Sequence, residues 1–195
     1  AGQRDMEIEK YIVESDAGLV RLVLEGDNTA FECLFNRYRD SIYQYYAQRI
    51  GASDDLDDLL QEIFIKVFIN MELYDEQYTF GQWIYAIARN TFIDYVRKRR
   101  DNISIDLLPS SVPAPPATAP SPEEKIIGMQ QRAQIELYLQ KLTPQYRKLI
   151  ELRFMKEYSY EEIASALAIP IGTVKTQIHR ARAQLCHYIT ESGIL

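Results

Sequence analysis

The 195-residue chain contains no apolar run approaching the roughly 20 residues needed to span a bilayer. Its opening, AGQRDMEIEK, lacks the apolar stretch of a secretory signal. Together these absences predict a cytoplasmic protein with no membrane insertion of its own; residues ahead of Met6 carry no weight in this reading. Cysteine is scarce: Cys33 and Cys186 lie far apart with no C-x-x-C pair, which argues against a disulfide framework and a cysteine-built zinc site. Both are expected to be buried thiols. The only histidines are His179 and His187. Cys186 and His187 are adjacent, but neighbouring helical positions point about 100° apart and do not chelate one metal by themselves. No phosphate loop, metal cluster or nucleophile constellation is present, so no metal, no cofactor and no catalysis are expected. Strand signals are missing too. With 47% hydrophobic and 11% aromatic residues the chain can still build real cores, and the prediction is an all-α fold.

Six of the eight prolines fall in DNISIDLLPSSVPAPPATAPSP, residues 101–122, a Pro-, Ala- and Ser-rich stretch without helical period. Such a composition reads as a linker, which fully extended reaches on the order of 70 Å at about 3.1 Å per residue. Two small helical domains are therefore expected, over residues 1–100 and 123–195, the second containing a helix-turn-helix.

In the first half, NTAFECLFNRYRDSIYQYYAQRIG carries Phe31, Leu34, Phe35, Tyr38, Ile42 and Tyr45 at helical steps and stops at Gly51. DLDDLLQEIFIKVFINMELYD places Leu59, Ile63, Val67 and Met71 on one stripe behind an acidic first turn. TFGQWIYAIARNTFIDYVRKRR turns Trp83, Ile87, Phe92 and Val96 inward and ends basic. In the second half, Thr143 and Pro144 open TPQYRKLIELRFMKE, with Tyr146, Leu149, Ile150 and Phe154 on its apolar face. Ser159 and Glu162 form a capping box ahead of the brief helix YEEIASAL.

A turn of Ala168, Ile169 and Pro170 then leads into a last helix, IGTVKTQIHRARAQL. Pro170 stops the preceding helix, because the residue before a proline is pushed out of the α region. Helix, short turn, helix is the layout whose second helix enters the DNA major groove by its N-terminal end. Gly172 has no Cβ, so that end can approach a phosphate closely. Val174, Ile178, Ala181 and Leu185 form the packing stripe. Thr173, Lys175, Thr176, Gln177, His179, Arg180 and Arg182 take the other faces and supply Lys and Arg for phosphates or guanine and Gln for adenine. A solvated cationic face is the plainer meaning of three scattered basic residues. The turn, the capping box and the lack of any acid from Ile163 to Thr190 together favour DNA binding.

Three further clusters have less specific meanings. The run Arg97, Lys98, Arg99, Arg100 suits a helix C-terminus as well as a phosphate contact. Asp54, Asp55, Asp57 and Asp58 exceed what a helix start requires and, with Gln61 and Glu62, suggest a surface for a basic protein partner. Tyr74, Tyr78, Phe80, Trp83 and Tyr85 surround the loop YDEQYTFGQW; most are expected in the core, with a minority free to stack on unpaired bases.

From about Asp27 to Leu185 these residues resemble the extracytoplasmic-function (ECF) group of bacterial sigma-70 family factors. AFECLFNRYRDSIYQYY, DLDDLLQEIFIKVF and TFGQWIYAIARNTFIDYVRKRR echo its region 2, and LTPQYRKLIELRFMKEYSYEEIASALAIPIGTVKTQIHRARAQL echoes its region 4. The resemblance implies a promoter-specificity subunit of RNA polymerase. It implies docking of Asp55, Asp58, Gln61 and Glu62 on the coiled coil of the largest subunit of core polymerase. It also implies capture of a flipped minus-ten base by Glu76, Gln77, Tyr78 and Thr79, and contact of Arg89, Asn90, Arg97 and Arg100 along that element. Lys175, Thr176, His179 and Arg180 then read the minus-thirty-five element, and the linker threads through polymerase channels. A regulator, commonly a membrane-bound anti-sigma factor, is implied as well. Three positions depart from the family: Ala168 stands where Gly is frequent, and Gln177 and His179 where larger aromatic or basic residues are frequent.

Residues 1–100 carry 12 basic and 18 acidic side chains, and residues 101–195 carry 10 of each. The excess acid lies with the proposed docking half, and because phosphate neutralisation builds DNA affinity, the chain alone is expected to bind promoter DNA weakly. A stand-alone repressor or activator would need a dimer; no heptad seam supports one, and a monomer when free is expected.

Overall fold

Helix is the only regular structure among the residues that the structure, a computed structural model, describes: 2–51, 54–99 and 133–190. They fall in two units, Ala1–Gln131 and Arg132–Leu195. Arg100 and the 101–122 linker lie outside the described residues.

In the first unit, α1 (Gly2–Ile12), α2 (Asp16–Leu24), α3 (Asn28–Ile50), α4 (Asp54–Ile69) and α5 (Phe80–Arg99) follow in order, with a 3-10 turn at Met71–Leu73. The expected inward stripe of α4 widens into near-complete burial. Leu59, Leu60, Ile63, Phe64, Ile65, Val67 and Phe68 are all inside, as befits a helix whose second half is apolar apart from Glu62 and Lys66. Phe64 meets Phe31 and Phe35 of α3 edge-on at 4.9 and 5.0 Å, and Phe68 meets Phe31 at 4.9 Å, the geometry in which ring quadrupoles attract.

Polar side chains set where these helices begin. Ser15 accepts from Gly18 N at 3.1 Å and starts α2. Asp27 starts α3 by accepting from Ala30 N at 3.0 Å, while its second oxygen accepts from Tyr11 Oη of α1 at 2.7 Å. Arg37 of α3 ion-pairs with Asp16 at 2.8 Å and donates to the carbonyls of Tyr11 and Ile12 at the end of α1 and of Glu14 just beyond it, satisfying helix-end oxygens that have no partner within α1. Tyr38 donates to the other oxygen of Asp16.

In the second unit, residues 133–141 form α6, followed by α7 (Pro144–Ile150), α8 (Tyr160–Leu167) and α9 (Ile171–Ile189). Thr143 caps α7 by accepting from Tyr146 N, with Pro144 at its first position. The end of this helix runs on through Glu151–Met155 as a widened π turn, in which Lys156 N reaches back to Glu151 O at 3.0 Å. The capping box is present: Ser159 Oγ accepts from Glu162 N at 3.1 Å and the Glu162 carboxylate from Ser159 N at 2.7 Å. Leu149, Leu152, Ile163, Val174 and Ile178 form the core.

Ala168 ends α8 in the left-handed conformation, φ 53° and ψ 44°, and Ile169 N donates back to Ala164 O at 3.1 Å. An L-residue there costs roughly 1–2 kcal/mol, partly offset in a comparison with Gly by the chain entropy that Gly loses on folding. Ala168→Gly is therefore expected to raise the stability of the second unit by about 0.5–1 kcal/mol, read as a higher urea midpoint; an unchanged or lower midpoint refutes the assignment of strain.

Burial and the Asp27 bond push the Tyr11 phenol up to about 12, and burial likewise raises Tyr38 and Tyr46. A pKa raised by folding gives stability that is complete below the unfolded value, near 10 for tyrosine, and lost as pH climbs through the folded value. The first unit should therefore weaken from about pH 10 toward pH 12, with a shallower decline in Tyr11→Phe; pH-resolved urea titrations check both.

Candidate functional site

Helix α9 presents its polar face as the sequence pattern implies, with two exceptions. Gly172, Lys175, Thr176, His179 and Arg180 are exposed and Thr173 and Gln177 are half-buried, while Val174, Ile178, Ala181 and Leu185 are inside. The first exception is Arg182, expected on the polar face but only 3% exposed, with Nη1 donating to Tyr160 Oη at 3.2 Å. A guanidinium in that position is an internal tie and not part of the outer face, so the exposed cations of α9 are Lys175 and Arg180. The second is Gln177, whose Oε1 accepts from Gln145 Nε2 of α7 at 2.7 Å.

A Cβ placed on Gly172 would meet nothing within 4 Å. The glycine therefore answers no demand inside the unit, although glycine in a helix costs about 0.5–1 kcal/mol relative to alanine. Thr176 Oγ1 donates back to Gly172 O at 3.0 Å, which holds that side chain along the helix.

In the first unit, the loop between α4 and α5 is braced from below. Tyr74, Phe80 and Trp83 pack on one another with centroids 5.4 to 5.7 Å apart, and Tyr74 Oη donates to Tyr78 O at 2.6 Å. Asp75 Oδ1 accepts from Gln77 N at 3.0 Å. Thr79 and Gln82 cap each other's backbone at 3.0 and 3.1 Å, opening α5. Of the five aromatics, mostly expected in the core, Phe80 and Trp83 are buried and Tyr74 and Tyr78 half-buried, whereas Tyr85 is 40% exposed and stands edge-on to Tyr38. Glu76, Gln77 and Thr79 are exposed at the loop surface and Tyr78 is half-buried. Along α5, Asn90 and Arg97 are exposed and Arg89 is half-buried.

The acidic cluster is smaller as a surface than as a sequence. Asp57 is exposed, and Asp55, Asp58 and Gln61 are half-buried; Asp55 accepts from Tyr95 Oη at 3.1 Å. Glu62, expected on a docking face, is instead 6% exposed in the seam between α4 and α5. Its carboxylate lies 3.5 Å from Lys66 Nζ, which donates to Thr91 Oγ1 at 3.2 Å, and Thr91 donates to Ile87 O at 2.8 Å. Since α4 carries no acid beyond Glu62, only its first two turns leave acids outside.

No group of three His, Cys, Asp or Glu positioned for a metal occurs among the described residues, and none of their helices is long and apolar enough to cross a membrane. Cys33 is half-buried and Cys186 buried, and burial pushes the Cys186 thiol up to about 12, where it is protonated and unreactive.

Two family models match this arrangement: Sigma-70 region 2 over residues 34–102 and Sigma-70 region 4 over residues 132–185. The ECF RNA polymerase sigma factor SigW of Bacillus subtilis (strain 168) is 33% identical over 172 residues, covering 85% of this chain and 92% of that protein. The chain belongs to the ECF RNA polymerase sigma factors. The ECF sigma-E factor of Escherichia coli (strain K12) is similar at 29% over 174 residues, with 86% and 91% covered. Among solved structures, CnrH in complex with the cytosolic domain of CnrY is 22% identical, with 91% of this chain and 99% of that one covered and a TM-score of 0.40. The sigma factor RpoE in complex with the anti-sigma factor NepR from Bartonella quintana is 24% identical, with 82% and 96% covered and a TM-score of 0.33. Family membership gives this sigma factor a role in transcription initiation, in a family of regulatory and non-enzymatic proteins.

Residues 2–12, 16–24 and 133–141 add helices that the sequence reading did not mark, and none contributes to the proposed site. Glu62→Ala would leave the Lys66 ammonium in the α4–α5 seam without its carboxylate. Since Lys66 is a quarter exposed, the expected loss is about 1–3 kcal/mol, against less than about 0.5 kcal/mol for Asp57→Asn on the surface. Urea unfolding distinguishes them; equal midpoints would return Glu62 to the outer face.

Proposed function

We propose that this sigma factor binds core RNA polymerase through the first turns of α4 and directs initiation at promoters with a minus-ten and a minus-thirty-five element. In this reading residues 1–100 dock on the largest subunit's coiled coil and handle the minus-ten element, residues 101–122 connect, and residues 123–195 read the minus-thirty-five element. Asp55, Asp58 and Gln61 meet the coiled coil. Glu76, Gln77, Tyr78 and Thr79 hold the flipped base, with Arg89, Asn90, Arg97 and Arg100 along the strand. Thr173, Lys175, Thr176, His179 and Arg180 face the minus-thirty-five groove. Such a protein works in the cytoplasm, is monomeric when free, and is held inactive by an anti-sigma factor.

The observation that carries the reading is the open, acid-free face of α9 beginning at Gly172. Lys175, Thr176, His179 and Arg180 stand outward there, on a helix packed by Val174 and Ile178 into a helix-turn-helix. Two exposed cations supply little of the phosphate neutralisation on which affinity depends, which fits a reader whose stable binding requires the polymerase complex. Run-off transcription with core polymerase on genomic fragments tests the whole reading. Transcripts of defined length are expected; failure to initiate on every fragment with active core enzyme overturns it.

Gly172→Ala separates folding from function. The added methyl meets only open space, so the variant should gain up to about 1 kcal/mol of helix stability. Filling the approach to the phosphate should cost the holoenzyme about 1 kcal/mol, or roughly fivefold in promoter affinity. Unchanged affinity would remove the close approach at this position.

A further inference from the structure

Helix α9 is held to the rest of its unit by more than apolar contact. Tyr160, the first residue of α8, is engaged from two sides. The Arg153 guanidinium, on the widened turn that ends α7, lies 4.9 Å from the Tyr160 ring centroid, and its Nη1 donates to Tyr158 O at 3.0 Å. From α9, Arg182 Nη1 donates to Tyr160 Oη at 3.2 Å. One tyrosine thus joins the end of α7, the start of α8 and the middle of α9.

The apolar contact between α8 and α9, made by Ile163, Val174 and Ile178, is non-directional. A hydrogen bond is directional and selects one setting. Lys175 and Arg182 are seven residues apart, about two helical turns, so they share nearly one azimuth on α9. Anchoring Arg182 therefore fixes the direction in which Lys175 and its neighbours leave the helix. Arg182 is 3% exposed in that anchor, whereas Lys175, Thr176 and His179 are outside.

We propose that Tyr160 and Arg182 are positioning residues for promoter recognition: their hydrogen bond sets the rotation of α9 at which Lys175, Thr176 and His179 meet base edges, and Arg182 does not itself touch DNA. The proposal rests on the reading of α9 as the minus-thirty-five reader.

The test uses full-length variants assembled with core polymerase. Affinity is measured over a salt series for a promoter fragment recovered by run-off transcription and for the same fragment with its minus-thirty-five element scrambled. Tyr160→Phe keeps the ring against Arg153 and removes the acceptor. It is expected to lower the ratio of the two affinities by roughly fivefold while leaving the salt slope unchanged. Arg182→Met is expected to act alike, Arg182→Lys to restore part of the ratio, and the double variant to fall no further than Arg182→Met alone. Lys175→Met, by contrast, should reduce the salt slope by about one. A reduced slope in Arg182→Met would make that residue a phosphate contact and overturn the proposal. So would an unchanged ratio in Tyr160→Phe with the second unit folded, and this single-oxygen change decides the matter if Arg182→Met unfolds. A wild-type holoenzyme indifferent to the scrambled element overturns the DNA-reading assignment of α9 and the positioning roles with it.

Discussion

Near-complete burial of α4 beyond its acidic start is the constraint around which the first unit is arranged. A helix with Leu59, Leu60, Ile63, Phe64, Ile65, Val67 and Phe68 inside has no solvent face to spare, and α3 and α5 must cover it. What remains outside is its acidic start. The same burial explains why Glu62 pairs with Lys66 and Lys66 in turn bonds Thr91: charges drawn into an apolar seam require partners at hand. Packing thereby fixes both the size of the acidic surface and the setting of α5, which carries Arg89, Asn90 and Arg97.

The second unit is organised differently, by punctuation more than by a central apolar rod. Thr143, Pro144, Ser159, Glu162 and Ala168 each begin or end a helix through a specific backbone bond or conformation. Between these points lies a compact core of Leu149, Leu152, Ile163, Val174 and Ile178. Short helices of this kind gain little from intrinsic propensity, so caps and tertiary contacts carry their stability. Ala168 shows how far the context dominates: the turn takes the left-handed conformation without the residue best suited to it.

Features written in local pattern were legible in the sequence. The spacing of Val174, Ile178, Ala181 and Leu185 gave the packed stripe of α9, and Ser159 with Glu162 gave the start of α8, because caps and periodicity depend on neighbours a few residues away. Arg182 and Glu62 were misplaced for the opposite reason. On a helical wheel Arg182 is one more cation, and only the arrival of Tyr160 from another helix turns it inward. Glu62 continues an acidic run, and its burial follows from Lys66 and Thr91 meeting across a seam. Helices α1 and α2 had no strong signal of their own; Tyr11, Asp27 and Arg37, distant in sequence, hold them in place.

That tethering has a kinetic consequence. The described bonds from α1 to the rest of its unit gather at its C-terminal end, where Tyr11 reaches Asp27 and Arg37 collects the last carbonyls. The side chains of Ile8, about one turn before that end, and of Ile12, the last residue, face solvent. Over residues 7–12 of α1 only Tyr11 is buried, so opening of that segment releases few apolar contacts, and it can exchange its amide hydrogens while the Phe31, Phe64 and Phe68 cluster stays closed. The unit has a hierarchy of protection, with its first helix on the lowest rung and α4 on the highest.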